Sequence, residues 1–270
     1  MDILLRLYRT INLLSIDVAV GAVISSLCFS RLFDIKPNPY SMVTLGLTVW
    51  IIYTADRLLD VRNLKGQATT DRHKFHHRYQ KQLWILIFLM GFIAAALVFF
   101  LHPSIIVTGI LLAASSGLYL LIQKHLRIKE FVVAILYTIG VLLPSFGLRG
   151  SLSSELYLLS AQFFILALIN LLLFSWFEQE TDKSSGYSSF ATAYGKKVTT
   201  YFIWMLCLCS ISITTWMLIQ NLFNLTTFVF LFMTFVLMVI SLFPAYFTVN
   251  SRYRLLGDAV FFLPLLGLFK

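Results

Sequence analysis

Long apolar runs separated by short polar breaks dominate the chain. Read against the roughly 20 mostly apolar residues a membrane-spanning helix needs, they predict nine segments, at residues 11–33, 40–59, 83–101, 104–122, 131–148, 156–177, 200–220, 226–249 and 257–269. Several breaks fall at helix stoppers, notably Pro37, Pro39, Pro103 and Gly150. The last run is the shortest and is expected to be tilted or shielded by its neighbours. The pattern predicts a single all-α transmembrane domain over residues 1–270.

The positive charges test this count. Threading nine spans from a cytoplasmic N-terminus puts 17 of the 21 lysines and arginines on one side and four (Arg31, Lys36, Arg149 and Lys270) on the other. Such a bias matches the positive-inside rule and places the C-terminus on the opposite side. The two long connections, 60–82 and 178–199, both lie on the positive side. They follow the second and sixth predicted helices and open with acidic residues, so the chain reads as two matching halves around a cytoplasm-facing polar cavity. Long polar loops in a compact membrane protein are where binding and chemistry concentrate.

Composition agrees. Hydrophobic residues make up 59% of the chain and charged residues 12%, against roughly 25% charged in a soluble domain. A soluble domain, a disordered chain, a coiled coil and a disulfide scaffold are all excluded. The net charge of +9 is assigned to loops facing an anionic leaflet, with membrane lipid and not nucleic acid as the partner. Cys28, Cys207 and Cys209 lie inside apolar runs without metal-ligand spacing. The opening MDILLRLYRT has no cleavage pattern and is expected to stay as part of the first helix. The expected location is a bacterial inner membrane.

Candidate chemistry sits at two helix ends. At about 100° per residue, Tyr53, Asp56 and Asp60 share an arc of roughly 60°, and so do Ser175, Glu178 and Asp182. Carboxylates one turn apart repel each other, and a helix C-terminus disfavours anions. A compensating cation is therefore needed at each end. Mg²⁺ suits the task, because it takes one or two carboxylates and fills its octahedron with waters and phosphate oxygens. Solvated helix ends paired with Arg57, Arg62 or Lys183 are the alternative. Nearby stand Arg72 and Lys74, then Lys183, Gly186 and the Gly195-Lys196-Lys197 run, a set suited to a polyanion such as a diphosphate.

With these residues in place, the chain resembles the UbiA superfamily of intramembrane prenyltransferases, nine-helix proteins with two aspartate-rich cytoplasmic motifs. The first motif, Asn-Asp-x-x-Asp-x-x-x-Asp with a downstream Thr-x-x-Arg, is matched by Asp56 and Asp60, then Thr69 and Arg72. The second is matched in register by Glu178, Asp182, Gly186, Ser189 and Gly195. Tyr119 followed by Lys124 is similar to a tyrosine–lysine element after the fourth helix, shifted by one residue. Ile52 and Tyr53 stand in place of the first Asn-Asp, and Ser175 in place of the first aspartate of the second motif.

The resemblance implies Mg²⁺-dependent transfer of a prenyl group from an isoprenoid diphosphate to a lipophilic acceptor, an aromatic one expected. Asp56, Asp60, Glu178 and Asp182 would hold the metal, and Arg72, Lys74, Lys124 and Lys183 the diphosphate. Tyr53, replacing a motif aspartate, is expected to take part in catalysis. Trp50 and Tyr119 are candidate aromatics facing a carbocation. Asp17 is costly inside an apolar helix and marks a cavity by default; Asn12 is a second polar candidate there. A terpene cyclase on the same scaffold and a homologue that binds prenyl diphosphate without turnover are the alternatives. An inverted-repeat transporter fits poorly, since its halves would run in opposite orientations.

Overall fold

A computed structural model describes residues 3–62, 71–146, 154–222 and 224–268. Thr69 of the first motif, Lys65, Arg149 and Lys270 lie outside the described residues. The elements are helices α1 (Ile3–Leu13), α2 (Ile16–Leu32), α3 (Pro39–Arg62), α4 (Asp71–Arg78), α5 (Gln80–Val98), α6 (Pro103–Ile122), α7 (Lys129–Phe146), α8 (Ser154–Ser184), α9 (Phe190–Ile219), α10 (Leu225–Leu242), α11 (Pro244–Thr248) and α12 (Arg252–Ala259), followed by a 3₁₀ segment Val260–Leu268.

Among the described residues seven helices are long and apolar enough to cross a membrane, or eight if the bent α1–α2 pair counts as one span. The expected nine is not confirmed: the first and the last runs account for the difference, and the run 226–249 still supplies a span in α10 although it ends early. The first run breaks at Ser15, whose left-handed backbone (φ 58) turns α1 by 82° against α2. The carbonyls freed there are taken by α3: Arg57 donates to Asn12 (2.9 Å) and Leu13 (3.3 Å), and the Trp50 indole donates to Leu14 (2.8 Å). The run 226–249 breaks at Pro244, which lacks an N–H and clashes with the preceding turn. The run 257–269 is one turn of α12 continued as a 3₁₀ segment that contains Pro264.

The acidic connection 178–199 also differs from expectation. Helix α8 continues unbroken to Ser184, and α9 begins at Phe190, so little of that stretch is loop. Glycine makes the turn. Gly186 has φ +70; its N–H donates to the Lys183 carbonyl (3.3 Å) and the next N–H, of Tyr187, to the Asp182 carbonyl (2.9 Å). This is a Schellman cap, which needs a left-handed residue at Gly186. Ser189 then caps α9, accepting from the Thr192 N–H while its own N–H donates to the Thr192 hydroxyl. Gly195 (φ +83) interrupts α9 one turn later.

The core gathers round α8. Of the apolar stretch of α8, 61% is buried, against 17% for α5 and for α6; α8 is therefore the central post and α5 and α6 face lipid. The Phe163 ring lies 5.4 Å from Phe29, 5.8 Å from Phe261, 5.9 Å from Tyr137 and 6.0 Å from Phe230, joining α2, α7, α10 and the final segment. Polar side chains tie α8, α9 and α10: Gln162 donates to Thr214 (2.9 Å) and to the Ser210 hydroxyl (3.1 Å), and Ser210 pairs with Thr234 (2.7 Å). Interhelical bonds of this kind hold helices together where lipid supplies no hydrophobic drive.

Candidate functional site

A cavity of about 380 Å³ opens between α3, α5, α6, α7 and α8. One end is polar. There α3 contributes Tyr53, Asp56 and Asp60, α8 contributes Ser175, Glu178 and Asp182, α4 contributes Arg72 and His73, α7 contributes Lys129 and Glu130, and α12 contributes Arg254. The rotation of 100° per residue thus delivers both carboxylate faces to one chamber. Below Tyr53 the lining becomes mostly apolar, including Leu45, Val98, Leu101, Ile105 and Leu143, with the hydroxyls of Thr48, Thr44 and Ser41 among them.

Only part of the cation set expected from sequence lines the cavity. Of the four assigned to a diphosphate, Arg72 lines the cavity; Lys74, Lys124 and Lys183 are exposed and do not line it. Lys183 follows Asp182 by 100° of helix rotation and so turns away. Lys124 contributes its backbone instead, its carbonyl accepting from the Ser188 N–H (3.2 Å). Lys129 also lines the cavity, and Asp182, Asp60, Glu130 and Asp56 all act on it electrostatically. It stands 5.9 Å from the centroid of Tyr187, whose hydroxyl donates to the Asp60 carbonyl (2.9 Å). The Schellman turn at Gly186 puts Tyr187 there, linking the end of α8 to the end of α3.

The four expected metal carboxylates have divided roles. Glu178 is held by Arg254 through two bonds of 2.6 Å and by the Tyr253 hydroxyl at 2.8 Å, with Arg72 at 3.7 Å. Asp56 is different: its Oδ1 is buried and has no hydrogen-bond partner. Among the described residues no three His, Cys, Asp or Glu side chains come together closely enough to hold an ion. Mg²⁺ needs only one or two carboxylates when phosphate oxygens and water complete its shell. The open Asp56 oxygen, with Asp60 and Asp182 on the same chamber, fits an ion of that kind, whereas Glu178 is committed to arginine.

Other expected residues stand behind the cavity. Trp50, Asn12 and Asp17 do not line it. Trp50 secures the α1–α2 break. Asn12 donates to Asp17 (2.5 Å) and to Asp258 (2.8 Å), forming a buried polar knot between α1, α2 and α12. Tyr119 does line the chamber. Ser175, at the place of a motif aspartate, accepts from the Ala191 N–H (3.0 Å), and Glu130 accepts from the Phe190 N–H (3.0 Å). Both oxygens serve the N-terminus of α9, where an anion is favoured.

The histidines of α4 add a pH response. Burial pushes His73 down to about 4, helped by Arg72, and pushes His76 down to about 3, helped by Arg57. Both are neutral at pH 7, and the His76 Nδ1 lies 2.9 Å from the Arg72 carbonyl. In the unfolded chain they protonate near their ordinary value of about 6.5. Between that value and about 4 the unfolded state binds more protons, so stability falls as pH falls. Melting temperature measured from pH 7.5 to 4.5 should drop through this window, and replacing both histidines by glutamine should flatten the drop.

A family model described as the UbiA prenyltransferase family matches residues 54–266. The chain belongs to that family. Comparison with curated proteins finds no match. Among solved structures, a UbiA homolog from Aeropyrum pernix K1 superposes with TM-score 0.66 at 15% identity, covering 95% of this chain and 96% of its own. A UbiA homolog from Archaeoglobus fulgidus bound to GPP and Mg²⁺ gives 0.66 at 10% identity, covering 94% and 98%. A digeranylgeranylglyceryl phosphate synthase gives 0.57 at 14% identity, covering 97% and 98%. At these identities the likeness shows the fold. As a UbiA-family member with at least seven apolar spans among the described residues, the chain is an integral membrane protein.

Proposed function

We propose that this UbiA-family chain transfers a prenyl group from an isoprenoid diphosphate to a lipophilic acceptor within the membrane, with Mg²⁺ as cofactor. The observation that carries this reading is a single cavity with a carboxylate- and cation-lined end that continues as an apolar corridor between helices. A diphosphate joined to a hydrocarbon tail has the same division of character.

Asp56, with one of Asp60 and Asp182, would hold the ion, which when bound neutralises charge on the departing diphosphate. Lys129 and Arg72 face the same oxygens and stabilise the charge that builds on them as the carbon–oxygen bond breaks. Glu178 acts at one remove by fixing Arg254 and Arg72. Tyr53 and Tyr119 border the polar end and present ring faces where positive charge develops on the prenyl carbon. The helix walls keep water from that carbon. The polar end is assigned to the cytoplasmic side, because 17 of 21 lysines and arginines fall on that side in the sequence threading.

The test is release of diphosphate from prenyl diphosphates by the purified protein, with and without a membrane lipid extract. Release that needs Mg²⁺, disappears on chelation and is lost in Asp56→Asn is the expected result. Dependence on the extract identifies transfer, whereas hydrocarbon formed without it identifies a cyclase. Equal release by Asp56→Asn would overturn the assignment of the site.

A further inference from the structure

The corridor has a length, and the length selects among donors. On α3 its lining runs from Asp56 down to Ser41, a depth of about 22 Å at 1.5 Å per residue. An extended chain advances about 1.2 Å per bond, so an isoprene unit of four bonds spans about 4.7 Å. Two units reach less than halfway and four nearly fill the depth. The wall stays largely apolar along it, from Val49 and Ile52 through Leu45 and Leu136 to Leu101 and Leu143.

Two glycines keep this depth open. A Cβ added at Gly109 of α6 would meet nothing nearer than Leu143 at 3.8 Å, and one at Gly140 of α7 nothing nearer than Leu112 at 3.6 Å. Neither contact is tight, so helix packing does not require glycine at either place. Glycine inside a helix nevertheless costs roughly 0.5–1 kcal/mol relative to alanine. Both glycines line the cavity, and what their missing side chains leave is room in the corridor. Gly109 lies about 15 Å along α6 from Tyr119, and Tyr119, one turn from the α6 terminus that adjoins the polar end, lines the same chamber as Asp56 and Asp60. A bulky side chain at Gly109 would therefore meet a tail beyond its third isoprene unit.

Resting on the function proposed above, we propose that the donor is a prenyl diphosphate of about four isoprene units, and that Gly109 sets the usable depth. Each added unit buries more apolar surface against the wall until the corridor is filled.

The experiment measures affinity and kcat/KM for dimethylallyl, geranyl, farnesyl and geranylgeranyl diphosphates, in lipid nanodiscs with Mg²⁺. Geranylgeranyl diphosphate is expected to exceed geranyl diphosphate at least tenfold by both measures. Gly109→Phe should cut that ratio at least tenfold. Leu111→Phe, on the same helix but 64% exposed and outside the lining, should leave the ratio unchanged. Equal or better use of geranyl diphosphate would overturn the inference, as would a Gly109→Phe protein weakened equally toward every donor. Length-ranked binding without diphosphate release would sustain donor selection while overturning transfer. Absence of binding by any donor would overturn both.

Discussion

Changing Lys129 to methionine is expected to lower Mg²⁺-dependent diphosphate release by about 10²–10³, the usual cost of removing one preorganised donor from developing negative charge. Methionine keeps an unbranched stem and removes the charge, so packing at the head of α7 changes little. What changes is the field: Asp56, Asp60, Glu130 and Asp182 all act on this one ammonium. Lys129→Arg keeps the charge and should retain part of the rate. Activity of Lys129→Met within threefold of the parent would show that the diphosphate is held elsewhere, and a melting curve separates loss of chemistry from loss of fold.

The second large effect is on stability. Arg254→Met removes two 2.6 Å bonds from the partly buried Glu178, which keeps the Tyr253 hydroxyl and Arg72. The cost should therefore approach but stay below the roughly 3–5 kcal/mol of a fully buried, stranded charge. The loss should appear as a lower melting temperature in detergent, because the pair joins α12 to the end of α8. Arg254→Met combined with Glu178→Met should recover most of it, since neither charge is then left alone. A single variant as stable as the parent would mean that the pair is satisfied by water and that α12 is held by other contacts.

Much of the site was legible from helical arithmetic. Tyr53, Asp56 and Asp60 share a face of α3, Glu178 and Asp182 share a face of α8, and all five line one chamber. Gly186 and Gly195 were read as motif positions, and both have positive φ. What the sequence concealed depends on contacts between helices. Lys129 begins a helix after a 3₁₀ turn at Gln123–His125, and no local pattern shows that this turn aims it at Asp60. Arg254 lies in the next-to-last element, 76 residues from Glu178, with no signal that the two pair. Lys183 was avoidable, because the rotation that places Asp182 inward places its neighbour outward. The break at Ser15 escaped because its three carbonyls are satisfied by α3, a helix still to come in the sequence.

The length of α8 fixes how deep the reacting groups sit. Its 31 residues extend about 46 Å at 1.5 Å each, while the hydrocarbon layer of a bilayer is about 30 Å thick. Some ten residues must therefore project beyond the acyl chains, and the continuous apolar run ends just before Glu178. With α8 set upright in such a layer, Glu178 and Asp182 would stand at headgroup depth, with hydrated ions within reach, while the corridor beneath them would descend through the oily layer. On the function proposed above, a diphosphate drawn into the chamber would keep its charge near the level of the phospholipid headgroups. Only its hydrocarbon part would move, from a lipid environment into a protein-lined one of similar polarity, so loading would require no charge to be carried into the membrane interior.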